Sequence, residues 1–482
     1  MDIHVQIEGR GDRADRIYRQ LRDAIRDGRL RRGERLPATR DFAERLAVSR
    51  STVTVAYERL TAEGYLASRV GSGTFVAAAP AAPLSRRARD ARTAAQPTER
   101  WRDIRDPLWV EPTAIAYDFS IGSPDPGLFP IEPWRRLVAA ELRGGILRAG
   151  HYQDPAGLER LRRALARHLG VARSVDAVAD DVLVTSGAQQ AFDLIGRVLL
   201  RPGDVVAVED PGYPPLRQLV ESLGAQVVPV PVDEHGLRVD DLPPNARLVY
   251  VTPSHQFPLG AVLSLDRRTA LLEWAAEHDA VIIEDDYDSE YRFADRPLDP
   301  LQSLDREGRV VYVGTFSKTM LPTLRLGFLV APPSLMGALR SAKRLTDWHN
   351  DYVTQAAMAC FVDTGGFARH VRQATKAYAL RQRQIVEQVN TLLGDRLRVI
   401  PSVAGLHLCL VPVDPRVAFD AGRVVSDAAA SGVAVQALDR FSVGEPRAGL
   451  LLGFGAIAPE DVPDGLRLVA RAIARSAHPQ PG

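Results

Sequence analysis

Lysine is almost missing from this chain: of its 61 basic residues only three are lysines, at positions 318, 343 and 376. Arginine can replace lysine wherever only positive charge is wanted, but a guanidinium does not act as an amine nucleophile. A lysine kept against that background is a candidate for chemistry that needs the amine, such as a Schiff base with an aldehyde. The plainer alternative is that three lysines survive on the surface of an arginine-rich protein, and scarcity alone does not decide between the two. Cysteine is also scarce. Cys360 and Cys409 stand in apolar surroundings with no Cys or His at metal-ligand spacing. That excludes a disulfide framework, gives no metal site and predicts buried thiols in a reducing compartment. No apolar run approaches the ~20 residues of a membrane span. Asp2, His4 and Glu8 break any signal-peptide core, so a cytoplasmic protein with no membrane partner is expected.

What is present is the composition of a folded protein, 45% hydrophobic and 25% charged over 482 residues, long enough for two to four domains. The net charge of +1 conceals an asymmetry, because residues 1–76 carry 15 Arg against 11 Asp plus Glu and residues 77–105 carry 7 Arg against 3. A basic front on a mildly acidic body points to a polyanion that meets only the front.

In that front, Ile17, Leu21 and Ile25 recur on one helical face, and Gly28 can end the helix in a left-handed cap. Thr39 is read as the N-cap of a short helix with Phe42, Ala43 and Leu46 inward. Ala47-Val48 then turns the chain, and Ser49 caps a third helix with Val53, Tyr57 and Leu60 on one face. Arg50, Ser51, Thr52 and Thr54 are left exposed at its N-terminal end, and these types reach phosphates and base edges when a recognition helix enters a major groove. Residues 65–70 and 74–76 flank Gly71-Ser72-Gly73, a hairpin with a flexible tip. A generic three-helix cap with a solvated face fits the same pattern. The phrases Leu36-Pro-Ala-Thr-Arg40, Val48-Ser-Arg-Ser-Thr-Val53, Glu63-Gly-Tyr65 and Gly71-Ser-Gly-Thr-Phe-Val76 resemble the winged helix of GntR-type bacterial transcription regulators. The resemblance implies a DNA-binding domain over residues 1–76, with Arg40, Ser49, Arg50, Thr52 and the wing at Gly71 and Gly73 on DNA.

Residues 77–111 are rich in Ala, Pro and Arg and poor in bulky apolar residues, a linker composition. Beyond them, Val/Ile-rich runs at 181–185, 205–208, 248–252, 281–284 and 310–313 alternate with helix-length segments. That pattern predicts a mostly parallel sheet covered by helices, with ligands at the carboxyl ends of its strands. Chemically suggestive residues follow those runs. Ser186-Gly-Ala188 opens a helix where backbone N–H groups could receive a phosphate. Alternation puts Asp285 and Tyr287 on one face, and Arg325 lies seven residues after Lys318 as a second phosphate clamp.

Taken in order, these pieces resemble the fold type I pyridoxal phosphate enzymes of the aminotransferase superfamily. The whole plan resembles the MocR subfamily of GntR-type regulators, the group of GabR and PdxR, to which Thr252-Pro-Ser-His-Gln-Phe-Pro258 and Glu284-Asp-Asp-Tyr-Asp-Ser-Glu-Tyr291 are similar. The resemblance implies an α/β aminotransferase-like domain over residues 112–482 with a smaller C-terminal α+β subdomain, and a head-to-tail homodimer presenting two winged helices to two operator half-sites. It implies pyridoxal 5′-phosphate bonded to Lys318, with Asp285 on the pyridine nitrogen, Tyr287 on the ring hydroxyl and Tyr213 stacked on the ring. Ser186, Gly187, Ala188, Thr315, Ser317 and Arg325 would cup the phosphate, and Tyr152 would reach the phosphate of the neighbouring subunit.

Departures limit what else follows. Phe257 stands where aminotransferases commonly have an asparagine that touches the ring hydroxyl, leaving His255 or Gln256 for that contact. Leu451 stands where an arginine normally receives the substrate carboxylate, with Arg217 and Arg447 as candidate replacements, and Pro215 argues against a GABA-type effector. A regulator that senses pyridoxal phosphate, an amino compound or both is expected, with vitamin B6 metabolism as a target. A working aminotransferase carrying a DNA-binding appendage is the alternative.

Overall fold

Helix α1 (Arg13–Arg26) forms where the apolar spacing predicts it. Ile17, Leu21 and Ile25 are fully buried, the Asp12 side chain accepts the Ala14 N–H, and Gly28 follows the helix end at φ +80°. The computed structural model describes residues 12–69, 71–77, 96–102, 104, 115–144, 150–293 and 299–476. By its internal contacts the chain divides into Met1–Thr98 and Glu99–Gly482.

In the first unit α2 (Thr39–Arg45) and α3 (Arg50–Ala62) follow a tight turn in which Ala47 takes φ +48°. Ser49 caps α3 as predicted, accepting the Thr52 N–H at 3.2 Å. Thr39 does not cap α2: Ala38 holds that position without a side-chain bond, and the Thr39 hydroxyl, already inside the helix, accepts from Arg50 Nε at 3.4 Å. Strands β1 (Leu66–Arg69) and β2 (Gly73–Val76) pair antiparallel as the wing. Tyr65 lies just before β1. Gly73 is the first residue of β2, paired with Arg69, rather than part of the hairpin tip, and Val70 lies outside the described residues. Phe42, Val53, Tyr57, Leu60, Leu66 and Val76 close the core, each such side chain contributing ~1.5–3 kcal/mol relative to exposure. At the rim of that core the Arg59 guanidinium covers the Tyr18 ring at 3.8 Å while the Tyr18 hydroxyl donates to Glu63 at 2.6 Å, joining α1 to α3.

Of the linker predicted over 77–111, residues 77, 96–102 and 104 are described, and Glu99–Arg102 is a short helix; the rest lies outside the described residues. The strands of the second unit are β3 (Tyr117–Asp118), β4 (Val182–Thr185), β5 (Val205–Asp210), β6 (Gln226–Asp233), β7 (Gly236–Leu237), β8 (Ala246–Val251), β9 (Val281–Asp286), β10 (Val310–Thr315), β11 (Gly327–Val330), β12 (Leu397–Val399), β13 (His407–Pro412), β14 (Val433–Ala434), β15 (Gln436–Ala437) and β16 (Leu450–Gly453). Eight form one sheet in the order β4-β11-β10-β9-β8-β5-β6-β7. Its centre, β10-β9-β8-β5-β6, is parallel, and β11 runs antiparallel between β10 and β4. The apolar core divides between the faces: Leu183, Phe192, Leu194, Val206 and Tyr250 are in one cluster, Val249, Leu271, Ile282 and Leu301 in another. The smaller part carries the antiparallel sheet β12-β13-β16-β15 against the helices Gly366–Leu393 and Val462–Ser476.

Three strands end later than the apolar pattern alone indicates. β5 does so through Glu209 and Asp210, which pair with Val230 and Pro231 of β6. β9 continues through Asp285 and Asp286 and β10 through Thr315, because parallel pairing of Val313 with Asp285 and Gly314 with Asp286 carries the ladder past the hydrophobic run. β6, Gln-Val-Val-Pro-Val-Pro-Val-Asp, escapes the periodic reading because prolines inside a run argue against a strand. No helix among the described residues is long and apolar enough to cross a membrane.

Candidate functional site

The carboxyl ends of β9 and β10 open onto a cavity of about 240 Å³ lined by Tyr213, Asp285, Tyr287, Lys318, Arg325 and Ala188, with Thr315 and Ser317 beside them. Eight of the predicted cofactor contacts therefore meet in one place. Lys318 comes three residues after β10, and its Nζ donates to the Gly122 carbonyl at 2.7 Å. A Cβ on Gly122 would lie 2.7 Å from that Nζ, so a side chain there would displace the amine. Burial holds the Lys318 amine below its usual value, and Asp288 and Asp285 pull the other way. An amine shifted toward its neutral form is the nucleophilic form.

Asp285 lies on a fully buried stretch of β9. The Tyr250 hydroxyl donates to its Oδ2 at 2.7 Å, while its Oδ1 is buried with no partner, and burial pushes the carboxyl up to about 7. An N–H cation placed against Oδ1 would satisfy the orphaned acceptor and favour the charged form. Asp286 points elsewhere, to Arg173 at 2.8 Å and the Tyr312 hydroxyl at 2.6 Å, and that pairing holds it below the usual carboxylate range despite burial.

The turn before the helix Ala188–Leu199 is fixed from behind. The Ser186 N–H donates to Gln190 Oε1 at 2.8 Å, Gln190 Nε2 donates to Asp347 at 2.7 Å, and Asp347 pairs at 2.5 Å with the fully buried Lys343. The second of the three lysines is thus a buried support for this turn rather than a surface remnant; Lys376 is exposed. Arg325 Nη2 donates to the Ser186 carbonyl at 2.5 Å, and Asn350 donates to the Ser186 hydroxyl. Ser186 and Gly187 form the turn without lining the cavity; Ala188 and Gln189 line it. A helix N-terminus with a guanidinium beside it suits a phosphate. An orphaned carboxylate oxygen, a lysine amine and an anion-binding turn around one aromatic-walled cavity fit a phosphorylated pyridine aldehyde.

Other predicted contacts lie outside the cavity lining. His255 is buried behind Tyr287, its Nδ1 2.9 Å from the Tyr287 hydroxyl and 3.0 Å from Asp288, and its Nε2 2.9 Å from Ser402 Oγ. Gln256 Nε2 donates to the Pro211 carbonyl at 2.9 Å. Both are occupied, and Phe257 itself lines the cavity, its ring edge-on to Tyr213 at 5.6 Å and Tyr287 at 5.9 Å. Tyr152 is 76% exposed with its ring 4.6 Å from Trp348, away from this chain's own cavity lining. Gly405 admits another close approach, since a Cβ there would lie 2.2 Å from His255 and 2.5 Å from Asp288. His255, Asp288 and His407 bring possible metal-ligand atoms within 4.8 Å of one another, a cluster that sequence spacing does not reveal; three of its four ring nitrogens already have partners in Tyr287, Ser402 and the Pro258 carbonyl. Leu451 is fully buried among Leu438, Phe441 and Cys409. Neither Arg217 nor Arg447 lines the cavity, and Arg447 donates to the Val232 carbonyl at 3.0 Å. Cys409 is buried, its thiol pushed up to about 12, whereas Cys360 is only half-buried.

On the winged helix, Arg40 is exposed and 3.6 Å from Glu44. Arg50 and Gly71 are exposed, and Thr52 is half-buried. The Ser49 hydroxyl is spent on capping and on Thr52. Arg35, missed in the sequence, lies over the wing, its Nε 2.8 Å from where a Cβ on Gly73 would be.

Fold and cavity together define the class: an aminotransferase-like pyridoxal phosphate domain joined to a winged helix. Residues 118–447 match the family described as aminotransferase class I and II, and residues 13–76 match the bacterial regulatory proteins of the gntR family. The chain is 37% identical to the probable rhizopine catabolism regulatory protein MocR of Rhizobium meliloti, over 95% of this chain and 93% of that one. It is 33% identical to the pyridoxine biosynthesis transcriptional regulator PdxR of Corynebacterium glutamicum, over 91% of each. Among solved structures, the Pyrococcus horikoshii kynurenine aminotransferase superposes with a TM-score of 0.73 at 28% identity, covering 80% of this chain and 98% of that one. The chain belongs to the MocR-type transcription regulators, in which a GntR winged helix is fused to an aminotransferase class I and II domain. Its cofactor is pyridoxal 5′-phosphate.

Proposed function

We propose that this regulator binds operator DNA as a head-to-tail homodimer and that its DNA binding responds to pyridoxal phosphate, and to an amino compound, at Lys318. The observation that carries this reading is the conjunction of the Lys318 amine on the Gly122 carbonyl with the unpartnered Asp285 Oδ1 in one cavity. Bound there, pyridoxal phosphate supplies an aldehyde to amines and a ring that withdraws electrons. Asp285 holds the ring nitrogen with Tyr250 as its support, Arg325 and the Ala188 helix start hold the phosphate, and Tyr213, Tyr287 and Phe257 wall the ring. Tyr152 reaches the partner's phosphate. On DNA, Arg40, Arg50, Thr52 and the wing make the contacts, with Ser49 setting the helix start. Vitamin B6 genes are the proposed target and the cytoplasm the proposed location.

The burial of Leu451 where a carboxylate anchor would stand disfavours sustained transamination, because an unanchored substrate is poorly oriented for the lysine. The purified protein should show visible cofactor absorbance and should shift a fragment of its own upstream region at a protein concentration that changes with added pyridoxal phosphate. A shift indifferent to the cofactor, or steady multiple turnover of amino and 2-oxo acids, refutes this reading.

A further inference from the structure

The charges of the proposed cofactor already have their counterparts in the cavity, Arg325 for the phosphate and Asp285 for the ring nitrogen. The remaining wall includes Tyr287, Asp288, Leu406, His407 and Phe257. Among the described residues, Lys318 and Arg325 are the cations that line it, and Arg325 is engaged at the Ser186 carbonyl. Apart from the Tyr287 hydroxyl, which faces His255 Nδ1 at 2.9 Å, the polar atoms on these residues are acceptors. His407 Nε2 lies 3.1 Å from the Pro258 carbonyl, and a carbonyl can only accept, so the ring proton is on Nε2. Burial beside His255 and Lys318 holds the imidazole down to about 3, which leaves Nδ1 as a lone pair. Asp288 adds a buried carboxylate, brought there by the missing Cβ of Gly405.

We infer that this wall selects a primary amine bearing hydroxyl or further amino groups and no carboxylate. Hydroxyl and ammonium hydrogens would find Asp288 and His407 Nδ1 as acceptors. A carboxylate in the same place would meet Asp288, a like charge, with no cation on that wall to answer it, and a buried unpaired carboxylate is strongly disfavoured. The apolar packing of Leu451 with Phe441 and Cys409, against which Phe257 leans, closes the position from which an anchoring guanidinium would act.

The inference rests on the reading that pyridoxal phosphate sits at Lys318, and the test separates the two. The full-length protein loaded with pyridoxal phosphate is titrated with pairs that differ only by the carboxylate, ethanolamine against serine and putrescine against ornithine, following the visible cofactor band. The amine of each pair should move the band at a concentration roughly tenfold or more below that of its amino acid. An amino acid that acts at an equal or lower concentration than its amine overturns the inference, and so does a band that moves with neither. A protein that develops no visible band with pyridoxal phosphate overturns the cofactor reading itself. Asp288→Asn should narrow the gap between amine and amino acid; the wild-type comparison stands if that variant does not fold.

Discussion

Replacing the buried Lys343 by methionine tests how the cofactor turn is held. The substitution keeps a long unbranched side chain but removes the amine that pairs with Asp347 at 2.5 Å. Breaking a fully buried ion pair costs ~3–5 kcal/mol, but the Asp347 side chain is 34% exposed and water can replace part of the lost contact, so ~1–3 kcal/mol and a drop of about 2–5 °C in Tm are expected. The second effect is local. Asp347 also accepts from Gln190, which in turn accepts the Ser186 N–H, so an Asp347 released from Lys343 leaves the turn less fixed. Loss of about one net hydrogen bond, ~1 kcal/mol, should raise the Kd for pyridoxal phosphate about fivefold. Thermal unfolding of the ligand-free protein and titration of the visible band measure the two separately. Asp347→Asn should act similarly, and the double variant should cost less than the sum of the singles because the residues share one network. A lowered Tm with an unchanged Kd would refute the chain of contacts from Lys343 to the turn.

Arg50→Ala should weaken DNA binding broadly across sequences and lower the salt slope by about 1, read by fluorescence anisotropy at several salt concentrations; an unchanged slope would remove Arg50 from the phosphate contacts. In the ligand-free protein, burial pushes Asp285, Glu209 and Glu284 up to about 7 and Glu290 up to about 8. The folded state therefore keeps protons that the unfolded state has already lost, and stability falls as pH rises through those values. His407, His168 and His370, held below their usual value, act in the opposite sense but only below about 6.5. Lys318 and Lys343, held below their usual value by burial, also act in the opposite sense, but two amines stand against four raised carboxyls, so from pH 6.5 to about 8 a falling Tm is expected and a flat or rising one contradicts the assignment.

The winged helix was legible because its signals are local: apolar positions at helical spacing, the Ser49 cap and a glycine-rich hairpin sit within a few residues of what they determine. The cavity was legible only in part. Lys318, Asp285, Tyr287 and Arg325 follow strand ends, which a pattern of alternating strands and helices exposes. Their supports are remote in sequence: Gly122 is 196 residues from Lys318, Asn350 is 164 from Ser186, and Tyr250 is 35 from Asp285. Gly122 in Ile-Gly-Ser-Pro and Tyr250 inside an apolar strand carry no mark of the site. His255 was misplaced for a related reason, since adjacency to Phe257 could not show that Asp288, Tyr287 and Ser402 already occupy its ring. Thr39 does not act as the cap because Ala38, whose methyl group cannot accept a hydrogen bond, holds the cap geometry.

Lys318→Ala tests the central claim most directly. Binding of the purified variant and of the wild type to the protein's own upstream DNA is measured with and without pyridoxal phosphate, under one salt condition. Wild type should change its affinity or the mobility of its complex when the cofactor is added, and Lys318→Ala should still bind DNA but show no such change. A variant that keeps the full cofactor-dependent DNA response of wild type contradicts the account.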